Sequence, residues 1–394
     1  MKNAITTLRI QNFKSIKDVE MKPRRVNIII GEPNVGKSNI LEAMSLLGGM
    51  VYDRGQKFMN GMVRYERASQ LFYDNLSINT IRVETDQGVC ILGATDWKGT
   101  FQALYVDSRA WHSYTGRYAE DMNESTDSAN VLQKVMYSFD RMEPSKPLLD
   151  EPYDKEGFGW RSINEDGSAP GKRHGFDKSS PYLSKNIFVR PYLFLRGEEV
   201  GQDYGSPFLM PPHGANLKTI IQTYRPLREE VAAIFARYGL KLSLRMVSDE
   251  LEIIKEDGGL IYSYPYSSTA DTLQRLIFYL AAIESNTDSV LLFEEPEAHS
   301  YPEYVAQLGQ RIVENRDNQF FVVTHSPYLI TEILEEMLTD DELTPELAMF
   351  VAYYEDYQTK VRQLSEEEIV AIRADGLDVF YNMARFVPGP DNQL

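Results

Sequence analysis

The segment Gly31-Glu32-Pro33-Asn34-Val35-Gly36-Lys37-Ser38 spaces two glycines around four residues and follows them at once with a lysine and a hydroxyl. This pattern suits a triphosphate. Glycines let the backbone curl so that several N–H groups face one phosphate cluster, and a helix start adds positive potential. Lys37 would reach the β- and γ-phosphates, and the Ser38 hydroxyl would ligate Mg²⁺. A second candidate is Leu291-Leu292-Phe293-Glu294-Glu295-Pro296-Glu297, an apolar run ending in paired acids. Beside a phosphate loop, one acid holds the metal and the next polarises the attacking water. The third is Phe320-Phe321-Val322-Val323-Thr324-His325-Ser326-Pro327, where an imidazole follows an apolar run and could sense a γ-phosphate.

These motifs need elements to position them. Val26–Ile30 is apolar and rich in β-branched residues, as in a buried strand, and Ile40, Leu41, Met44 and Leu47 then follow helical spacing. The loop therefore sits between strand and helix. Ser289–Phe293 and Gln319–Val323 read as two more buried strands, each followed by a helix, Tyr304–Val313 and Pro327–Met337. Residues 5–10 alternate like an edge strand. Ser77–Glu84, Gly88–Ala94, Phe101–Val106 and Ile187–Leu195 are strand-like, and Asp127 caps an expected helix carrying Val131 to Phe139. Residues 143–182, dense in Pro, Gly, Asp, Lys and Ser, read as a long surface loop. Asn216–Tyr238 is helical around Pro226, residues 240–264 form a small meander, Asp271–Ser285 is a helix, and Ala348–Tyr354 with Thr359–Leu364 closes the chain as a strand pair.

The 394-residue chain carries 41 basic and 58 acidic residues, a formal charge of −17. That balance argues against a surface coated with DNA, because duplex affinity comes largely from neutralising phosphates. It leaves room for a local basic groove. The lone Cys90 excludes an intrachain disulfide and any Cys-rich zinc module. The five histidines have no metal-ligand spacing, so no zinc site is expected. No apolar run is long enough to span a bilayer and the first residues lack a signal-peptide core, so a cytoplasmic protein without membrane partners is expected. Tyr262, Tyr264 and Tyr266 recur at every second position, which suits one face of a strand better than base stacking.

The three motifs in this order resemble the ABC-type ATPases of the RecF, SMC and OLD group. Leu8–Ser15 is similar to that group's opening strand, Gly31–Asn39 to its Walker A, Glu294–His299 to its Walker B and D-loop, and Thr324–Pro327 to its switch histidine. Long heptad arms are absent and few residues follow the last helix, so the resemblance is nearest to OLD-like ATPases without a Toprim nuclease. It implies an α/β phosphate-loop NTPase of ABC-ATPase type, a mixed sheet core with flanking helices formed by residues 1–50 and 260–394, and an inserted α+β lobe over 51–259.

The resemblance also implies roles. ATP and Mg²⁺ would be the cofactors. Gly31, Glu32, Pro33, Asn34, Val35, Gly36, Lys37, Ser38 and Asn39 would bind nucleotide, with Lys14 and Ser268 as further contacts. Ser38 and Glu294 would hold the metal, Glu295 would be the base and His325 the sensor. ATP would join two copies, and the switch would control a separate effector such as a nuclease or toxin, in antiviral defence. A nucleotide-bound scaffold with little turnover and a RecF-like DNA-repair ATPase are the alternatives. The segment Ser267–Arg275 stands where the group has a signature loop, but it lacks glycine. Its hydroxyls either donate to a partner's γ-phosphate or only cap a core helix.

Overall fold

Strand β3 (Val26–Gly31) is buried along its whole length and sits inside a six-stranded sheet of order β15-β14-β3-β13-β12-β8. Its members are β8 (Val189–Tyr192), β12 (Val290–Glu294), β13 (Gln319–Val323), β14 (Leu347–Glu355) and β15 (Gln358–Gln363). All neighbours pair in parallel except the β14–β15 hairpin. The computed structural model describes residues 1–52, 57–94, 99–107, 158–169, 188–197, 205–245, 250–340 and 342–388. The helix expected after Asp127 lies outside the described residues.

The continuous apolar runs follow from two cores, one on each face of this sheet. Ile28, Ile30, Leu291, Phe293, Phe320 and Val322 enter one core, while Ile29, Leu292, Phe321 and Val323 enter the other. A strand buried on both faces has no polar side to alternate with. The first core is completed by α2 (Leu217–Thr223), α3 (Arg225–Ala236), α4 (Asp271–Ser285), α5 (Pro302–Glu314) and α6 (Pro327–Met337). Pro226 lies in the first turn of α3, where its missing N–H has no helical partner to lose. The second core holds α1 (Lys37–Ser45) against a second, antiparallel sheet of order β2-β1-β4-β5-β6-β7. A last helix, α7 (Glu366–Ala374), starts at a capping box between Ser365 and Glu368.

Several readings change. The first strand is β1 (Leu8–Phe13), and it is no edge: β2 (Ile16–Met21) pairs on one side and β4 (Ile81–Thr85) on the other. The strand Phe158–Asn164, β7, runs through the stretch read as a surface loop and pairs with β6 (Thr100–Asp107). Its Ile163 is buried, which outweighs the turn-forming composition around it. Sheet membership also crosses the expected divisions at 50 and 260. β1 and β2 join β4, β5 (Gly88–Ala94), β6 and β7, whereas β8 joins the parallel sheet. The meander is a separate three-stranded sheet of β9 (Leu240–Arg245), β10 (Glu250–Asp257) and β11 (Leu260–Pro265). Tyr262 and Tyr264, two positions apart on β11, are exposed on one face of the strand, while Tyr266 lies beyond it and is buried.

Candidate functional site

The parallel register brings the three motifs to one edge. Glu294 pairs across from Val323, and Val323 from Ile29, so β12, β13 and β3 end side by side. The segments that follow these ends line a single cleft of about 730 Å³, which includes Pro33, Asn34, Gly36, Lys37, Ser38, Glu294, Glu295 and His325.

The loop geometry depends on its glycines. Gly36 has a φ of +92°, and a Cβ there would overlap the hydroxyls of Thr359 and Ser15. At Gly31 a Cβ would overlap the carbonyl oxygen of Ala352 in β14. Asn34, at φ 63°, is among the residues that tolerate the left-handed region. α1 begins at Lys37, directing its first N–H groups into the cleft. Lys37 is 5% exposed, and its ammonium donates to the carbonyls of Gly31 at 2.9 Å and Glu32 at 2.7 Å. Burial lowers its pKa, and Glu295, Glu294 and Glu32 oppose that shift.

Residues far away in sequence brace the loop. The Thr359 hydroxyl donates to the Val35 carbonyl at 2.8 Å and contacts Ser15 Oγ at 2.6 Å. The Asn39 carboxamide donates to the same Ser15 oxygen at 2.7 Å, so its amide supports the loop from behind. Thr359→Val leaves the Val35 carbonyl without this donor. It is expected to weaken ATP binding about tenfold, roughly 1.4 kcal/mol, in isothermal titration. Unchanged affinity would remove Thr359 from the brace.

The acids sit differently. Glu294 ends β12 with its carboxylate paired to Arg64 at 3.0 Å. Glu295 follows at φ 43°, a conformation uncommon for its type, with its N–H held by the Val323 carbonyl at 2.8 Å. Its carboxylate lies 3.6 Å from His325 Nε2. Burial and then Lys37 lower the His325 pKa, with Glu295 opposing, and the residue lines the cleft.

Sequence reasoning missed two cations. Arg64 donates to Glu42 at 2.6 Å and to Glu294, linking α1 to the β12 tip. Arg275 of α4 lies over the Phe194 ring at 4.7 Å and reaches the Glu295 carbonyl at 3.5 Å. Arg64 stands in no recognisable local pattern, and Arg275 closes the segment likened to the signature loop without a role of its own assigned to it. Lys14 does line the cleft, but its ammonium is ion-paired with Glu42 and donates to the Arg64 carbonyl at 2.6 Å. Ser268 lies outside its own chain's cleft: it is exposed, donates to the Pro265 carbonyl at 2.5 Å, and lines a separate cavity with Tyr264 and Tyr301. The 3₁₀ turn Tyr266–Ser268 directs it there.

The donor set fits a triphosphate with its metal: loop N–H groups, a buried ammonium, one hydroxyl and one carboxylate at a shared edge. Lys14, Lys37, Arg64 and Arg275 line the cleft beside Glu42, Glu294 and Glu295, so acids and bases are nearly balanced there in a chain of net −17.

Two family models match the sequence. Residues 138–331 match the family described as an AAA domain, putative AbiEii toxin, Type IV TA system, and residues 1–87 match an AAA ATPase domain. No curated protein matches. Among solved structures, the SmcHead bound to the C-winged helix domain of ScpA is 17% identical, with 93% of this chain and 99% of that chain covered at a TM-score of 0.47. The SMC head domain from Thermotoga maritima is 13% identical, with 92% and 99% covered and a TM-score of 0.36. A Pyrococcus furiosus Smc head domain bound to the C-terminal domain of ScpA is 15% identical, with 94% and 98% covered and a TM-score of 0.44. The phosphate loop falls inside one matched family span and the acidic and histidine motifs inside the other, so over these two stretches the chain is similar to AAA-type ATPase domains, on a mixed α/β phosphate-loop fold.

Proposed function

We propose that the protein is a magnesium-dependent ATPase that acts as a switch, in the manner of OLD-like ATPases. The observation that carries this reading is the meeting of Lys37, Ser38, Glu294, Glu295 and His325 in one cleft at the end of three adjacent parallel strands. Lys37 and the loop N–H groups bind the phosphates. Ser38 and Glu294 hold Mg²⁺, which when bound supplies charge neutralisation at the γ-phosphate. Glu295 accepts a proton from the attacking water and His325 contacts the γ-phosphate. ATP joins two copies and hydrolysis separates them, so the nucleotide biases a two-state assembly. A separate effector reads that state. The toxin system named in the matched family's description is in keeping with a toxin as the effector; a nuclease as the effector and antiviral defence as the setting rest on the OLD-like resemblance alone.

The full chain should hydrolyse ATP only with Mg²⁺. Specific activity should rise with protein concentration, over the range in which a non-hydrolysable analogue drives association by size-exclusion light scattering. Activity independent of both metal and concentration would remove the switch reading.

A second reading, a nucleotide-bound scaffold with little turnover, draws support from two observations. Arg64 pairs with the carboxylate assigned to the metal, and the turn before α4 lacks glycine, with its Ser268 hydroxyl engaged by Pro265. Tight ATP binding with negligible turnover at every concentration would favour it.

A further inference from the structure

One buried carboxyl group joins the loops that carry Glu295 and His325. Glu297 is 8% exposed. Its Oε1 accepts the Thr324 hydroxyl at 2.5 Å and the His325 backbone N–H at 3.1 Å. The Thr324 oxygen in turn accepts the Ser326 N–H at 2.9 Å, and Ser326 Oγ caps α6 by accepting the Leu329 N–H at 3.3 Å. On the other side, Glu297 lies in a tight turn opened by Glu295, whose carbonyl accepts the Ala298 N–H at 3.0 Å. Glu297 Oε2 is buried without a hydrogen-bond partner among the described residues. Burying a carboxyl group this way costs free energy that an apolar side chain of similar size would avoid.

We infer that Glu297 is a positioning residue for the proposed hydrolysis, its Oε1 holding the acidic turn and the histidine loop as one unit. The inference rests on the ATPase reading and adds to it the means by which base and sensor keep a fixed mutual geometry. Without that acceptor, the His325 backbone N–H and the Thr324 hydroxyl lose their anchor. The imidazole then samples several positions relative to Glu295. Glutamine keeps a carbonyl oxygen that accepts the same two bonds, whereas alanine keeps none.

The test uses full-length wild type, Glu297→Gln, Glu297→Ala and Thr324→Val, with two readouts. In steady-state kinetics, Glu297→Ala should lower kcat roughly 10- to 100-fold, the scale of a small misplacement of reacting groups. Its KM for ATP should stay within about twofold, and Glu297→Gln should retain kcat within about threefold. In histidine side-chain NMR without nucleotide, the His325 signal is identified by its loss in His325→Asn. It should split or broaden in Glu297→Ala and Thr324→Val and keep its wild-type form in Glu297→Gln. A single sharp His325 signal in Glu297→Ala overturns the inference, as does a Gln variant as impaired as the Ala variant. Absence of wild-type turnover would count against the ATPase reading alone, and the NMR comparison would still decide the role of Glu297.

Discussion

Glu295→Gln is expected to bind ATP about as tightly as wild type while hydrolysing it roughly 100- to 1,000-fold more slowly, the usual loss when a general base is removed. The reason is geometric. Glu295 lies beyond the last residue of β12 in a backbone conformation that few non-glycine residues adopt, fixed by the Val323 carbonyl on one side and Arg275 on the other. Such conformations persist where the surrounding structure over-determines them, and they concentrate at active sites. The carboxylate lines the same cleft as Lys37, whose ammonium donates instead to the loop carbonyls of Gly31 and Glu32. Glutamine preserves shape and polarity while removing the basicity and a negative charge that would repel the phosphates, so phosphate binding should survive. The variant should also accumulate as an ATP-bound assembly in light scattering, because the separating step is slow. Turnover equal to wild type would remove Glu295 as the base.

Lys37→Ala should abolish tight nucleotide binding. A charge-assisted hydrogen bond contributes about 1.5–3 kcal/mol, so loss of the ammonium should weaken ATP binding on the order of 100-fold by isothermal titration. The folded protein should persist, because a buried lysine carries a desolvation cost that alanine lacks. The nucleotide-free melting temperature should therefore stay within a few degrees of wild type, which separates loss of the site from loss of the fold. A second readout comes from His325. Lys37 is one of the groups that lower the imidazole pKa, after burial. Removing that positive neighbour makes protonation easier, so the His325 midpoint should rise in an NMR titration. Normal ATP affinity in Lys37→Ala would end the phosphate-loop reading.

Both experiments concern residues that could be found in the sequence, and the reason they could is physical. β3, β12 and β13 are buried on two faces, so each appears as an unbroken apolar run, and the chemistry stands at the end of each run. The helix ends were legible for similar reasons, with Pro327 and Met337 bounding α6 as expected. What stayed hidden depends on partners distant in sequence. Thr359 reaches Val35 across 324 positions, and Arg64 reaches Glu294 across 230. No local periodicity encodes such contacts. β2 escaped notice because Ile16, Val19 and Met21 are buried while Lys17, Asp18 and Glu20 are exposed, which breaks strict alternation. Ser268 is reached only through the likeness of Ser267–Arg275 to a signature loop; α4 has no side-chain cap, so the capping alternative for these hydroxyls fails, and Ser268 donates to Pro265.

The central claim is that the ends of β3, β12 and β13 together grip one triphosphate. A crystal structure of Glu295→Gln grown with ATP and Mg²⁺ tests it most directly. The β- and γ-phosphates should lie over Gly31–Ser38, with Lys37 and His325 within hydrogen-bond reach of the γ-phosphate and the metal between Ser38 and Glu294. Nucleotide bound on another surface, or phosphates that leave Glu294 and His325 untouched, would contradict it.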